Sequence, residues 1–523
     1  MKIINTLKLA LCFALHSATA SENHSDYVFD ETLVTKNRIE QSGPVPLVLD
    51  QKSKTDNIQY LMAAGGARND AQKVVWHDKK FYPKHAWMNT FDRLTDWYQW
   101  EVYAEEAAGY HIDALIYTTA LNEGFRISVV ETGEKIDFTK AQTGWEKYDV
   151  GVLSLPKGKS TLRMIRTTAQ KNAHFKSLEL VRNSDYPALL KRIDEYQTDT
   201  TWMSKSGYGL MFQAGAWGYP KPLNPPLPRG QVERKSLEEY ANDFDLPAFV
   251  EMVKGTGASY VIWSITWCEY LMCAPIKSVD RYLGHSENTS TRDLIGEMAD
   301  ALKKEGIKFM LYYHRGEIHQ VPWFQGEDYP HEEFSKRGTG DRSVFFDSWV
   351  EIITEIGERY GDRVDGWFID GGFVYYPAPY ERMGQAMRAG NPNRITSWNS
   401  WYIVKYTDFQ DASFGEGSRG GRGPHSAGPN SDGRYISGQY KGLLQHGMFE
   451  MENAWGVKQP NQYIKTKITP EQGVKIVTNA RTNSAPVSFN MMMYEDGSVS
   501  EDSLKVFEAI KAAGLGRENY PIE

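Results

Sequence analysis

The sequence predicts an α/β fold, a (β/α)8 TIM-like barrel, with an N-terminal all-β sandwich domain ahead of it. Three observations predict this. From about Leu47 to Val181 short strands follow one another with turn residues between them and few helical periods, the pattern of a sandwich. Beyond Trp202 apolar strands alternate with amphipathic helices, the signature of an α/β architecture. Finally, the apolar run Gly366-Trp367-Phe368-Ile369 ends in Asp370 and is followed at once by Gly371-Gly372. A core-facing strand residue would be Val, Ile or Leu, whereas the C-terminal strand ends of a barrel are where its chemistry resides.

The elements follow in order. Met1-Lys2 and Lys8 precede an apolar stretch from Leu9 to Leu15, and Ala18-Thr19-Ala20 precedes a polar segment. Residues 1–20 therefore read as a cleaved signal peptide, and the mature chain is expected to be secreted or periplasmic. The apolar stretch is too short to span a bilayer, and no later window approaches the roughly 20 apolar residues a span needs, so no membrane insertion is expected. A lipoprotein reading through Cys12 is weaker, because Leu11 stands where a small residue should precede the modified cysteine. The sandwich is assigned to residues 44–185, with strands at Trp100–Ala104, Gly109–Tyr117, Phe125–Val130, Thr143–Tyr148, Leu155–Leu162 and Ser177–Val181. After a connection from Asp185 to Trp202 comes the barrel, residues 203–518. Its strands are read at Gly209–Gln213, Tyr260–Ile265, Phe309–Tyr313, Gly366–Asp370, Ile395–Trp398, Ala412–Gly415, Gly447–Glu450 and Val487–Asn490. Helices include Thr291–Glu305, Val344–Tyr360, Tyr380–Ala389, Thr469–Ala480 and Ser503–Ala513. The Gly/Arg/Ser stretch from Gly415 to Gly433 reads as a long active-site loop.

Composition narrows the function classes. A formal net charge of -8 argues against a nucleic-acid partner, since phosphate binding needs a basic face. Only Cys268 and Cys273 survive removal of the leader, so the fold rests on a hydrophobic core rather than on disulfides. The two thiols read as a local disulfide or as packed thiols, because no His/Asp constellation stands beside them. With 15 Trp and 30 Tyr the chain is rich in rings on which a sugar can stack, although large barrels also bury many aromatics.

The chemistry-bearing pattern is a pair of acids. Asp370 closes one strand, and about forty residues later Asp411-Ala412-Ser413-Phe414-Gly415-Glu416-Gly417 offers another acid in glycine-rich surroundings. Two carboxylates flanking one bond are what glycoside hydrolysis requires.

Two resemblances sharpen this reading. "AEEAAGYHIDALIYTT", "TGWEKYDVGVLSLPKGKSTLRM" and "FKSLELV" resemble the β-sandwich carbohydrate-binding modules of families 6 and 35, which bind sugar or calcium or brace a catalytic domain. Over residues 203–518, "LPAFVEMVKGTGASYVIW", "STRDLIGEMADALKKEGIKFMLYYH", "DGWFIDGG" and the segment from "TPEQGVKIVTNARTNSAPVSFN" onward resemble glycoside hydrolase family 29, the α-L-fucosidases. The resemblance implies a retaining double displacement with Asp370 as nucleophile and Glu416 as general acid/base. The family's sugar-binding histidines fall on Gln213, Trp267 and Cys268 here, its Asp on Glu269, and its arginine near the fifth strand on Ser400. Fucose recognition must therefore differ in this chain.

Other candidates for substrate binding come from the residues themselves. Trp263, Trp267, Trp367 and Trp398 stand at or near strand ends and offer stacking faces. Tyr313, His314 and Arg315, with Glu317 and His319 beyond, follow the third strand. Arg419 and Arg422 lie just past Glu416 and suit a sulfate or uronate. The i, i+5 spacing of His314 and His319 fits no zinc motif, so no metal site and no cofactor are assigned. The expected activity is an exo-glycosidase that trims an α-L-fucosyl or related sugar, sulfated forms included, from a polysaccharide or oligosaccharide. The alternatives are a non-catalytic glycan-binding protein and a glycosidase for another L-sugar such as galactose or rhamnose.

Overall fold

The computed structural model describes residues 47–48, 58–63, 66–69, 74–76, 86–214, 218–267, 269–314, 343–370, 375–399, 405–414, 432–436 and 440–522. The leader expected at residues 1–20, and the expected loop from Gly415 as far as 431, lie outside them. The chain divides into two compact units, with the boundary between Ser184 and Asp185.

The N-terminal unit is built of antiparallel strands: β1 (Trp97–Ala104), β2 (Ala108–Thr118), β3 (Glu123–Val129), β4 (Lys135–Lys140), β5 (Gly144–Leu155), β6 (Gly158–Arg166) and β7 (Ala173–Arg182). One sheet runs β1-β6-β3-β4 and another β5-β2-β7, with shorter strands added at their edges. Alternation along each strand turns Trp100, Val102, Ile127 and Met164 of the first sheet, and Ile112, Ala114, Phe175 and Leu178 of the second, into one shared apolar core. The strand expected at Leu155–Leu162 is corrected: Leu155 ends β5 and Gly158 starts β6. Pro156 offers no amide hydrogen to a ladder, and Gly158 adopts φ 99°, so the chain turns there.

The second unit opens with α1 (Tyr186–Tyr196), an 11-residue helix where only a connection was expected. Parallel strands follow: β8 (Tyr208–Phe212), β9 (Tyr260–Thr266), β10 (Lys308–Tyr313), β11 (Gly366–Ile369), β12 (Ile395–Trp398), β13 (Ala412–Ser413), β14 (Leu444–Gln445), β15 (Gly447–Glu450) and β16 (Val487–Met491). Between them run α2 (Leu246–Thr256), α3 (Leu294–Lys304), α4 (Ser343–Tyr360), α5 (Tyr380–Met387) and α6 (Pro470–Thr482), and α7 (Glu501–Ala512) follows the last strand. Local chemistry sets these helices. Asp245 caps α2, which ends at Gly257 with φ 75°, and Thr469 with Gln472 forms a capping box on α6.

The strands pair in the order β14-β13-β12-β11-β10-β9-β8-β16-β15. Its two ends are consecutive in the chain: β14 pairs with β13, β15 pairs with β16, and His446 alone separates them. The nine pieces are thus eight strands of a nearly closed (β/α)8 barrel. Its interior is filled by Met211, Tyr260, Ile262, Met310, Tyr312, Phe368, Ile395, Ala412, Phe414, Leu444 and Met448. Gly209 makes room for one of them, since a Cβ there would stand 2.3 Å from the Tyr260 ring. Among the described residues no helix is long and apolar enough to cross a membrane.

Candidate active site

Side chains two apart on a strand share a face. Each interior series can therefore be followed past the apolar core toward the C-terminal strand ends. Met211 leads to Gln213, Tyr312 to His314, and Phe368 to Asp370. On β9 the series Tyr260, Ile262 leads to Ser264, after which a register shift sets Thr266 opposite Tyr313 and gives the interior position to Trp267, and on β12 Ile395 leads through Ser397 to Asn399. Apolar fill gives way to polar groups at the mouth of the barrel, the face where such barrels carry their chemistry.

Three neighbouring strands bring the central group together. Tyr313 lies opposite Ile369 and Ile369 opposite Trp398, so His314, Asp370 and Asn399 occupy the next level. The ladder continues that far, with the Asp370 amide donating to the Tyr313 carbonyl at 3.0 Å and the Asn399 amide to the Ile369 carbonyl at 2.7 Å. The Asp370 side chain is half-buried. Its Oδ1 accepts from Asn399 Nδ2 at 2.7 Å and its Oδ2 from the Tyr312 hydroxyl at 2.5 Å. Beneath it Tyr312, Phe368 and Phe414 pack edge to face, with centroids 5.2 and 5.3 Å apart, and Phe414 rests on His446 at 4.1 Å. His314 is buried, its amide held by Thr266 Oγ1 at 3.0 Å.

Other candidates lie on the β9, β8 and β16 side of this group. Gln213 is half-buried, and its Oε1 has no partner among the described residues. Asn490 of β16 leaves its Oδ1 in the same condition, while its Nδ2 donates to the Trp455 carbonyl at 3.0 Å. Trp267 belongs to the interior cluster, against which Trp455 also packs. The Lys458 ammonium stands 4.7 Å over the Trp267 ring. Glu269 is held bidentately by Arg234, at 3.1 and 3.3 Å.

Four expectations are corrected by the same period of two. Trp263, Trp367, Trp398 and Tyr313 occupy the alternate positions and point out of the barrel. Trp263 is 1% exposed and is packed among Phe212, Phe244 and Phe249. Trp367 is fully buried, with Nε1 donating to the Met387 carbonyl at the end of α5. Trp398 stacks on Trp349 of α4, and the Tyr313 hydroxyl meets that of Tyr270 at 2.8 Å. None of them offers a face to a sugar. Glu416, Arg315, Arg419 and Arg422, with Glu317 and His319, lie outside the described residues. Asp411, which opens the second acid-bearing segment, is a structural anchor. Its carboxylate is fully buried and accepts from Arg388 twice, from the Thr396 amide and hydroxyl and from the Thr198 amide. Cys273 is a free buried thiol whose pKa burial pushes up to about 12, which removes it as a nucleophile. Cys268 lies outside the described residues.

Sequence reasoning missed Tyr312, Asn399, Thr266 and Asn490. Tyr312 and Asn399 are recoverable by extending the interior series from each strand, whereas Thr266 falls beyond the register shift after Ser264 and leaves that series.

A family model described as Alpha-L-fucosidase matches residues 234–499. No curated protein sequence matches the chain. Among solved structures, the alpha-L-fucosidase AlfC from Lactobacillus casei in complex with its alpha-L-fucose product is 18% identical, with 60% of this chain and 96% of that one covered and a TM-score of 0.42. The endo-fucoidan hydrolase MfFcnA4 from glycoside hydrolase family 107 is 16% identical, with 60% of this chain and 53% of that one covered and a TM-score of 0.44.

Proposed function

The chain belongs to the alpha-L-fucosidase family and is a glycoside hydrolase, and on that premise we propose that it is an exported, retaining exo-glycosidase. It removes a terminal α-L-fucosyl or related sugar, sulfated forms included, from a polysaccharide or oligosaccharide. Asp370 is the nucleophile. Its carboxylate attacks the anomeric carbon as Glu416 gives a proton to the departing glycosidic oxygen. Water then attacks the glycosyl ester, losing its proton to Glu416, and the sugar leaves with its anomeric configuration retained.

The observation that carries this reading is the placement of Asp370. It is the acid that continues an interior strand series into the barrel mouth, with both oxygens held by neighbours on the flanking strands. A nucleophile needs such fixed aim, because attack depends on the approach geometry. The buried acceptors of Gln213 and Asn490 support a sugar subsite beside it, since hydroxyl donors of a bound ring would satisfy them. Trp267 gives the apolar contact. Residues 44–185 are proposed as a β-sandwich of carbohydrate-binding-module type, supported by the single core that its two sheets share.

The test is hydrolysis of nitrophenyl α-L-fucoside, α-L-galactoside, α-L-rhamnoside and β-D-galactoside, followed by sulfated fucans. Asp370→Ala is expected to lose at least about 10³-fold in turnover, and added azide to restore it as the glycosyl azide of inverted configuration. Full turnover by Asp370→Ala on the true substrate would remove Asp370 from the mechanism. Activity confined to another L-sugar would change the substrate and leave the mechanism intact.

A further inference from the structure

We infer that His111, Asp113 and Asp149, on one face of the N-terminal unit, form a binding site for a divalent first-row transition-metal ion. The three residues come from two adjacent antiparallel strands. Asp113 of β2 lies directly opposite Asp149 of β5, and His111 precedes Asp113 by two residues and so shares its face. A register shift between Asp149 and Gly151, where Gly151 takes φ 111°, interrupts the ladder beside His111. His111 Nε2 stands 3.3 Å from Asp149 Oδ1 and 3.7 Å from Asp113 Oδ1. The donor atoms of all three lie within 4.8 Å of one another.

The spacing fits an ion. Ligand bonds of about 2.0–2.1 Å at tetrahedral angles hold donor atoms roughly 3.3 Å apart. The imidazole nitrogen stands near that spacing from each of the two carboxylates, and all three donors lie within 4.8 Å of one another.

Electrostatics supplies the second argument. Like charges directly opposite on neighbouring strands repel, yet Asp113 and Asp149 face each other. Among the described residues no lysine or arginine pairs with either, and their shared ion-pair partner is the His111 imidazole. The cation closest along the strand, Lys147, is taken by Glu179 at 2.8 Å. A bound dication offsets the repulsion that the fold otherwise leaves in place.

The donor set selects the ion. Calcium and magnesium take oxygen ligands, whereas an imidazole nitrogen with two carboxylates suits zinc or manganese. Side-chain exposure rises from 9% at His111 through 25% at Asp113 to 67% at Asp149, so solvent reaches the site and completes the shell.

The experiment is calorimetric titration of the full, chelator-stripped chain with zinc chloride, manganese chloride and calcium chloride. One equivalent of zinc or manganese is expected to bind, and Asp149→Asn and His111→Gln are each expected to weaken it by about 100-fold. Asp149 is two-thirds exposed, so its variant keeps the fold, and unchanged glycosidase activity serves as the control. Equal metal stoichiometry and affinity in the wild type and both variants would overturn the assignment, as would no binding at all. Calcium binding that survives His111→Gln and excludes zinc would overturn it too.

Discussion

Tyr312 donates its hydroxyl hydrogen to Oδ2 of Asp370 at 2.5 Å from the strand on one side, and Asn399 donates to Oδ1 at 2.7 Å from the strand on the other. The carboxylate is clamped between its two neighbours in the barrel wall, so its plane is set by strand register rather than by its own rotamer.

Removing one jaw of this clamp should loosen the aim of the carboxylate and spare the sugar pocket. Tyr312→Phe keeps the ring that packs on Phe368 at 5.2 Å and deletes only the hydroxyl. The expected result is a fall in kcat of about 10²-fold with KM little changed, read by steady-state kinetics. A raised KM with kcat preserved would instead make Tyr312 a sugar contact.

Asp370 was legible in the sequence because an acid at the end of an apolar strand, followed by two glycines, has few uses in a core. Its neighbours were not, because Tyr312 and Asn399 reach it only through the register of three strands, and register is invisible along one chain. The tryptophans show a different gap. Trp367 and Asp370 are three positions apart, so a period of two places them on opposite faces, and a search for aromatic strand ends that ignores this parity collects residues from both. Barrel closure was legible as eight strands, but the short Leu444–Gln445 piece that completes it gives no pattern of its own.

The register shift in β9, which turns Trp267 inward while Trp367 stays on the outer face, also separates the tryptophans experimentally. Trp267→Ala should raise KM, because the ring belongs to the interior cluster at the mouth. Trp367→Phe deletes a buried donor to the Met387 carbonyl and leaves a void under α5. It should lower stability by about 1–3 kcal/mol with KM unchanged. Thermal melts and kinetics on both variants check the pair, and a KM effect in Trp367→Phe would contradict the outward assignment.

In the N-terminal unit Arg166 and Glu123 form a fully buried ion pair at 2.5 Å. Arg166 also donates to the carbonyls of Phe91, Asp92, Thr168 and Lys171, and Glu123 accepts from the amides of Gln170 and Lys171. Every polar atom is engaged, so the pair is tolerated in the core. Arg166→Met strands the carboxylate and should destabilise the unit by about 3–5 kcal/mol. Chemical denaturation of the full chain, followed by N-terminal aromatic fluorescence, reads the loss; a change below about 1 kcal/mol would contradict it.

Glu452 carries a pH dependence of definite sign. Burial raises its pKa from 4.5 to about 7, against the opposing effect of hydrogen bonds from Ser503 and the Met492 amide and of the Lys467 charge. The folded chain therefore binds more protons than the unfolded one in that interval. The contribution is fully present below about pH 4.5 and is lost as pH rises through about 7. The span corresponds to about 3 kcal/mol. Glu452→Gln, which mimics the protonated acid, should flatten the stability profile on this alkaline side; an unchanged slope would show that Glu452 titrates normally.

His446 acts in the opposite direction, at the point where the barrel closes. Its Nε2 lies 2.7 Å from Ser488 Oγ and 3.3 Å from the Tyr260 hydroxyl, its ring lies against Phe414, and burial lowers its pKa from 6.5 to about 3. Here the unfolded chain binds the extra proton. The contribution is present above about pH 6.5 and is lost as pH falls toward about 3. Charging the imidazole inside the barrel would break the seam between β14 and β15, so acid should open the molecule there first. His446→Gln, which cannot take the proton, should lower the stability at neutral pH but remove most of the acid slope between pH 6.5 and 3. Denaturant midpoints measured across that range decide it, and a variant with the same acid slope as the wild type would assign acid unfolding to other groups.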